Sequence, residues 1–110
     1  RLPPGQATFP YHFHHVTEEL FHIMEGEGTV ITGSGRHSVR AGDFLSFPAG
    51  SGSAHKFVNE SDEPCVMLAL GNEDANDVSE YPDTDKIGVK ALPNRLNFRK
   101  QDAVDYWAGE

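Results

Sequence analysis

Cysteine is almost absent from this chain: Cys65 stands alone among 110 residues, so no internal disulfide can staple the fold. It lies in the apolar run Cys65-Val66-Met67-Leu68-Ala69-Leu70 and reads as a small buried hydrophobe rather than a nucleophile. Such sparing use fits a reducing cytoplasm. Positive charge is scarce too, with 9 Lys and Arg against 17 Asp and Glu, a net charge of -8. A chain of this sign repels nucleic acid and anionic membrane surfaces unless its cations cluster. The densest basic group, Arg95, Arg99 and Lys100, sits among Asp102, Asp105 and Glu110, so neither partner is expected. No apolar stretch is long enough to span a bilayer, and no signal-peptide pattern is present. The chain opens on Arg1 rather than Met, as a chain with absent or processed upstream residues would.

What is present is turn chemistry. The 11 Gly and 7 Pro punctuate short apolar runs, a texture of many strands and tight turns within one domain. Residues 1–6 form an extended lead-in, because Pro3 and Pro4 forbid a helix. Strands are predicted over 7–14, 18–24, 29–32, 36–40, 44–47, 54–59 and 65–70. The β-branched run Thr29-Val30-Ile31-Thr32 is stiff and suits a pleated surface, and Gly33-Ser34-Gly35 turns it back as a hairpin. This rhythm predicts an all-β antiparallel sandwich or barrel, closed so that no edge is left exposed. After Gly71 the texture changes. Residues 72–77 are acidic and read as a solvated loop. The rest, with scattered aromatics at Tyr81, Phe98, Tyr106 and Trp107, reads as an irregular arm lying on its own barrel or on a second subunit.

The chemistry lies in the histidines. His12, His14, His15, His22 and His37 precede a sixth, His55, which follows a Gly-rich loop. Residues two apart on a strand share a face, so His12 and His14 point together and His15 points away. Paired imidazoles on one face can chelate a divalent ion, although an isolated H-x-H pair also arises by chance as surface decoration.

The flanking residues decide between these readings. Pro10 to Gly26 resembles the first motif of the cupin family: H-x-H at His12 and His14, four residues, Glu19, six residues, then Gly26. Glu18 is one residue too far from Gly26. The stretch from Gly42 to Asn59 is similar to the second cupin motif, with five residues before Pro48-Ala49-Gly50, then His55, three residues and Asn59. Two spacings depart from the family: four residues rather than two between Gly50 and His55, and six rather than five between Gly5 and His12.

The resemblance implies a jelly-roll (double-stranded β-helix) cupin barrel over residues 1–71, with an irregular C-terminal extension over 72–110. It also implies a divalent metal held by His12, His14, Glu19 and His55. Each buried polar group left unpaired costs about 1–3 kcal/mol. Four of them would consume much of the roughly 5–15 kcal/mol a small domain has in hand. An ion, or failing that trapped water, is how such a cluster survives. Mixed nitrogen and oxygen ligands suit Fe, Mn, Ni, Zn or Co.

Tyr11, Phe21 and Phe57 are pocket candidates: Tyr11 as the neighbour of His12, Phe57 because it shares the face of His55. His15 reads as solvent-exposed or at the barrel mouth, and His22 and His37 are out of register. The glycine-rich segment 49–53 is a flexible loop whose amides offer an anion cradle only as a secondary reading.

For function, the resemblance implies a metal-dependent isomerase or epimerase on a small sugar or hydroxy-carbonyl compound. An Fe(II) dioxygenase and a non-catalytic small-molecule sensor remain alternatives, because one fold hosts many functions. Few cations lie near the motifs (Arg36, Arg40, Lys56), so no phosphate anchor is evident, and no base outside the ligand set stands out. Cupins commonly pair through their sheets, which makes a homodimer the expected assembly.

Overall fold

The strand signals and turn signals condense into ten strands. The computed structural model describes residues 1–110. In chain order the strands are β1 (Phe13–His14), β2 (Glu19–Glu25), β3 (Glu27–Thr32), β4 (Gly35–Arg40), β5 (Phe44–Phe47), β6 (His55–Val58), β7 (Val66–Gly71), β8 (Val78–Tyr81), β9 (Lys86–Val89) and β10 (Leu96–Arg99), followed by a single 3-10 turn at Lys100–Asp102. They form two three-stranded sheets, β5-β2-β7 and β4-β3-β6, and a four-stranded sheet, β1-β8-β9-β10. All strand pairs are antiparallel, and the fold is an all-β jelly-roll barrel. No helix is long and apolar enough to cross a membrane.

The core lies between the two three-stranded sheets. Alternation along β2 turns Phe21 and Ile23 inward, and along β6 it turns His55 and Phe57 inward. Ile23, Val30, Val39, Phe57 and Cys65 form one apolar cluster that Leu2 closes from the N-terminal lead-in. Two glycines permit this packing. Gly26 has φ +79, and a Cβ there would run into the Pro64 carbonyl; a Cβ on Gly28 would strike the Phe57 ring. Asn59, the last residue of the second motif, is fully buried and fully satisfied. Its amide donates to the Leu2 and Glu63 carbonyls at 2.9 and 2.8 Å, and its Oδ1 accepts from the Ser61 N–H and hydroxyl.

Two expectations need correction. The strand expected over 7–14 shrinks to Phe13–His14, with isolated bridges from Ala7 to Val58 and from His12 to His55. Pro10 has no N–H to give a ladder, and it interrupts the pairing. The C-terminal extension is not wholly irregular: β8, β9 and β10 form an antiparallel meander, and β8 pairs with β1 at Phe13↔Glu80 and His14↔Ser79. The turn Pro82-Asp83-Thr84-Asp85, with Asp85 at φ +52, joins β8 to β9. Residues 72–77, 90–95 and 103–110 carry no strand or helix, and residues 91–110 are exposed throughout.

Candidate metal centre

Three separate pieces of chain deliver the predicted ligands to one place. His12 and His55 are cross-strand partners locked by two backbone hydrogen bonds, His12 N–H to His55 O at 3.1 Å and His55 N–H to His12 O at 2.9 Å. That pairing sets the position of His55 despite the longer loop before it. His14 lies two residues on, on the same face, and Glu19 opens β2. Glu19 Oε1 is the hub, 2.9 Å from His14 Nε2, 3.1 Å from His55 Nε2 and 3.7 Å from His12 Nε2. His12 Nε2 and His14 Nε2 are 3.0 Å apart. The tightest group is His12, His14 and Glu19, with ligand atoms all within 4.8 Å of one another; His55 joins it through Glu19.

These separations fit a shared ion. Ligand atoms about 2.0–2.1 Å from one metal and at right angles to each other stand about 3 Å apart. The tautomers point the same way. His12 Nδ1 donates to the Pro10 carbonyl at 2.8 Å, and His14 Nδ1 donates to Asp77 Oδ2 at 2.6 Å. With both Nδ1 atoms protonated, two bare Nε2 lone pairs would face each other beside a carboxylate. That arrangement needs a positive charge between them, either a metal ion or a second proton on His14. His55 is less well supported, since its buried Nδ1 has no partner. Coordination through its Nε2 would leave a buried N–H unpaired, at about 1–3 kcal/mol.

The electrostatics follow from this contact list. Burial would raise the Glu19 carboxyl, but hydrogen bonds from His14 and His55 pull it down to about 2. The Glu19 contact raises His14 above the ordinary imidazole value; burial opposes this and Asp77 adds to it. Burial lowers His12, which favours its neutral form. Aromatic rings seal the dry side. Phe47 stacks on His55 with centroids 3.7 Å apart, and Phe9 meets His12 and His55 edge-on at 4.7 and 5.6 Å.

Asp77 is the functional residue missing from the sequence reading, which placed it in a solvated loop. It is 3% exposed. Its Oδ1 accepts the Val16 and Thr17 N–H groups at 2.9 and 3.3 Å while its Oδ2 holds His14. Burial opposes its ionisation, but these hydrogen bonds, that of His14 foremost, hold its carboxyl below the usual range. The one local signal was its place just before the half-buried strand Val78-Ser79-Glu80-Tyr81.

A cavity of about 120 Å³ opens against His14 and Glu19, walled by the extension through Glu73, Asp77, Ser79, Tyr81, Lys90 and Arg95. Tyr81 also stacks on the His12 ring, centroids 5.8 Å apart. The cations that reach the cavity, Lys90 and Arg95, come from the extension rather than from the motifs.

The pocket candidates divide. Phe21 lies against the site, its ring centroid 6.4 Å from that of His55. Phe57 does share the inward face of His55, but it belongs to the apolar cluster and does not line the cavity. Tyr11 lines a separate surface depression with Ile31, Lys56 and Asp83. His15 is turned out to Glu80 at 2.5 Å, His22 stacks on Phe44, and His37 contacts Thr32 and Ser34. In the 49–53 loop, the Ala49 N–H binds the Glu18 carboxylate and the Gly50 N–H binds the His14 carbonyl, so those amides brace the barrel.

A family model described as the cupin domain matches residues 1–71. The chain is a cupin. This cupin resembles the solved structure of a sugar phosphate isomerase of the cupin superfamily from Silicibacter pomeroyi at 28% identity and TM-score 0.87, over 93% of this chain and 65% of that one. A protein from Acidithiobacillus ferrooxidans, provisionally named a sugar phosphate isomerase, matches at 28% identity and TM-score 0.87, over 94% and 65%. A Thermotoga maritima protein, named an oxalate decarboxylase by prediction, matches at 27% identity and TM-score 0.58, over 64% of this chain and 58% of that one. The chain thus spans a little under two thirds of the length of the first two. A search of curated proteins finds no match.

Proposed function

We propose that this cupin binds one divalent metal ion through His12, His14, Glu19 and His55 and isomerises or epimerises a small hydroxy-carbonyl compound of the sugar type. The observation that carries the reading is the convergence of three imidazoles and a carboxylate beside a polar cavity, only one of whose ten lining residues is hydrophobic. A lining of that kind suits a ligand rich in oxygen rather than an apolar one. The names of the two structures that match over nearly the whole chain agree with it.

A divalent ion bound here supplies Lewis-acid polarisation of substrate oxygens. The protein's own contribution is positioning. Asp77 fixes the His14 tautomer so that Nε2 presents its lone pair to the centre. Pro10 does the same for His12 through its carbonyl. Phe9, Phe21 and Phe47 exclude water from the barrel side, leaving the Ser79 and Tyr81 hydroxyls to meet the ligand in the cavity.

The test is isomerisation in deuterated water. Protein loaded in turn with Mn, Fe, Co, Ni or Zn is incubated with aldoses, ketoses and their phosphates. NMR then follows deuterium entering the carbon beside the carbonyl. Exchange that requires metal supports the reading. No exchange with any substrate defeats it, and oxygen consumption by the Fe(II)-loaded protein would move the assignment to a dioxygenase.

A further inference from the structure

The cavity beside His14 and Glu19 is lined by two cations, Lys90 and Arg95, and by three carboxylates, of which Glu19 and Asp77 are engaged by histidines and Glu73 pairs with neither cation. Lys90 follows β9 and is anchored by its backbone N–H to the Asp77 carbonyl at 3.1 Å; its Nζ reaches only the Glu73 backbone carbonyl, at 3.2 Å. Arg95 lies in the turn before β10, where Asn94 and Arg95 both adopt positive φ, 64° and 47°. Neither forms an ion pair, whereas Arg36 pairs with Glu60 and Lys100 with Glu80. In a chain with 17 acidic and 9 basic residues a carboxylate partner is the ready solution for a cation, and these two lack one. They also border a centre built to hold a cation, which they repel unless an anion lies between.

We infer that Lys90 and Arg95 form an anion subsite that holds a phosphate or carboxylate of the substrate. The hydroxy-carbonyl end of that substrate faces His14 and Glu19. The inference rests on the proposed function for the identity of the second end, but the subsite itself requires only the two cations and the cavity. An ammonium supplies a point charge and a guanidinium a planar fork, a pairing suited to a compact oxyanion. The Ser79 hydroxyl lines the same cavity, and Tyr81 stands across from Gly88, where a Cβ would approach the Tyr81 ring at 3.5 Å and press on Asn97 Oδ1 at 2.8 Å. A cavity of about 120 Å³ admits a compact anion with a short carbon chain, not a nucleotide. The subsite belongs to the extension, which explains why the two barrel motifs carry no anion anchor of their own.

The experiment is calorimetric titration of chelator-treated protein with inorganic phosphate and, separately, with malonate, at fixed ionic strength. Wild type binds at least one of them. The tighter of the two names the source of the charge. Lys90→Gln and Arg95→Gln each weaken binding roughly tenfold, the usual size of a lost charge-assisted hydrogen bond, and the double variant abolishes it. Lys56→Gln, at a separate depression that does not include the cavity residues, leaves it unchanged. His55→Ala, which removes a proposed metal ligand that does not line the cavity, keeps the anion binding, and Lys90→Gln keeps its metal content. A failure of the metal reading is thereby distinguished from a failure of this one. No binding by wild type, or undiminished binding by the double variant, overturns the inference.

Discussion

Replacing Asp77 with Asn should cost the protein its metal affinity without removing a ligand. The Asp77 carboxylate receives the His14 Nδ1–H at 2.6 Å, a short charge-assisted bond that leaves Nε2 bare. An amide at this position keeps its oxygen on the Val16 N–H, 2.9 Å away in the wild type, and turns its NH₂ toward His14. The imidazole then shifts its proton to Nε2, and that proton points at Glu19 and His12, where a bound ion would sit. Loss of a carboxylate that orients a metal-bound histidine costs about 10–100-fold in affinity, or about 1.4–2.7 kcal/mol. The fold survives, because the two N–H groups that Asp77 caps keep an acceptor. The assay is competition with a fluorescent chelator for Zn and Mn, repeated in a His14→Ala background. Asp77→Asn should weaken wild-type binding within that range and add nothing once His14 is gone. Wild-type affinity in Asp77→Asn, or a further loss in the double variant, would refute the orienting role.

Three other outcomes follow from the same contacts. In metal-free protein Glu19 titrates near 2 instead of 4.5, so its stabilisation is complete above about pH 4.5 and fades as pH falls toward 2. The loss is about 3 kcal/mol, read by urea melts in chelator, and Glu19→Gln should flatten this acid limb. His14 is shifted upward, so its contribution is full below pH 6.5 and disappears as pH rises through its folded value; metal-free stability therefore peaks between these limits. Gly26→Ala forces a Cβ into the Pro64 carbonyl at a positive φ and should destabilise by about 2 kcal/mol or more in the same melts. Phe57→Ala should cost about 3–5 kcal/mol of stability yet leave metal stoichiometry unchanged, because Phe57 fills the apolar cluster and not the cavity.

The four candidate ligands are legible in the sequence because their signals are local. His12 and His14 share a face by strand parity, Glu19 and Gly26 keep one motif's spacing, and the second motif frames His55. Asp77, Tyr81, Lys90 and Arg95 give no such signal. Asp77 meets His14 across 63 residues, and what brings it there is the pairing of β8 with β1, a long-range event that no window of sequence contains. The extension reads as irregular because β10 is exposed along its whole length and β8 is half-buried throughout, so neither shows alternating burial. The turn at Pro82–Asp85 was the available clue to a hairpin. Phe57 shows the limit of parity from the other direction: facing the same way as His55 does not decide which layer of the barrel a side chain fills.

Elemental analysis of the purified protein tests the central claim most directly, comparing wild type with His14→Ala after both are exposed to a divalent metal and desalted. The account predicts one ion per chain in wild type and almost none in His14→Ala. A wild type that retains no metal, or a His14→Ala variant that retains a full equivalent, would contradict it.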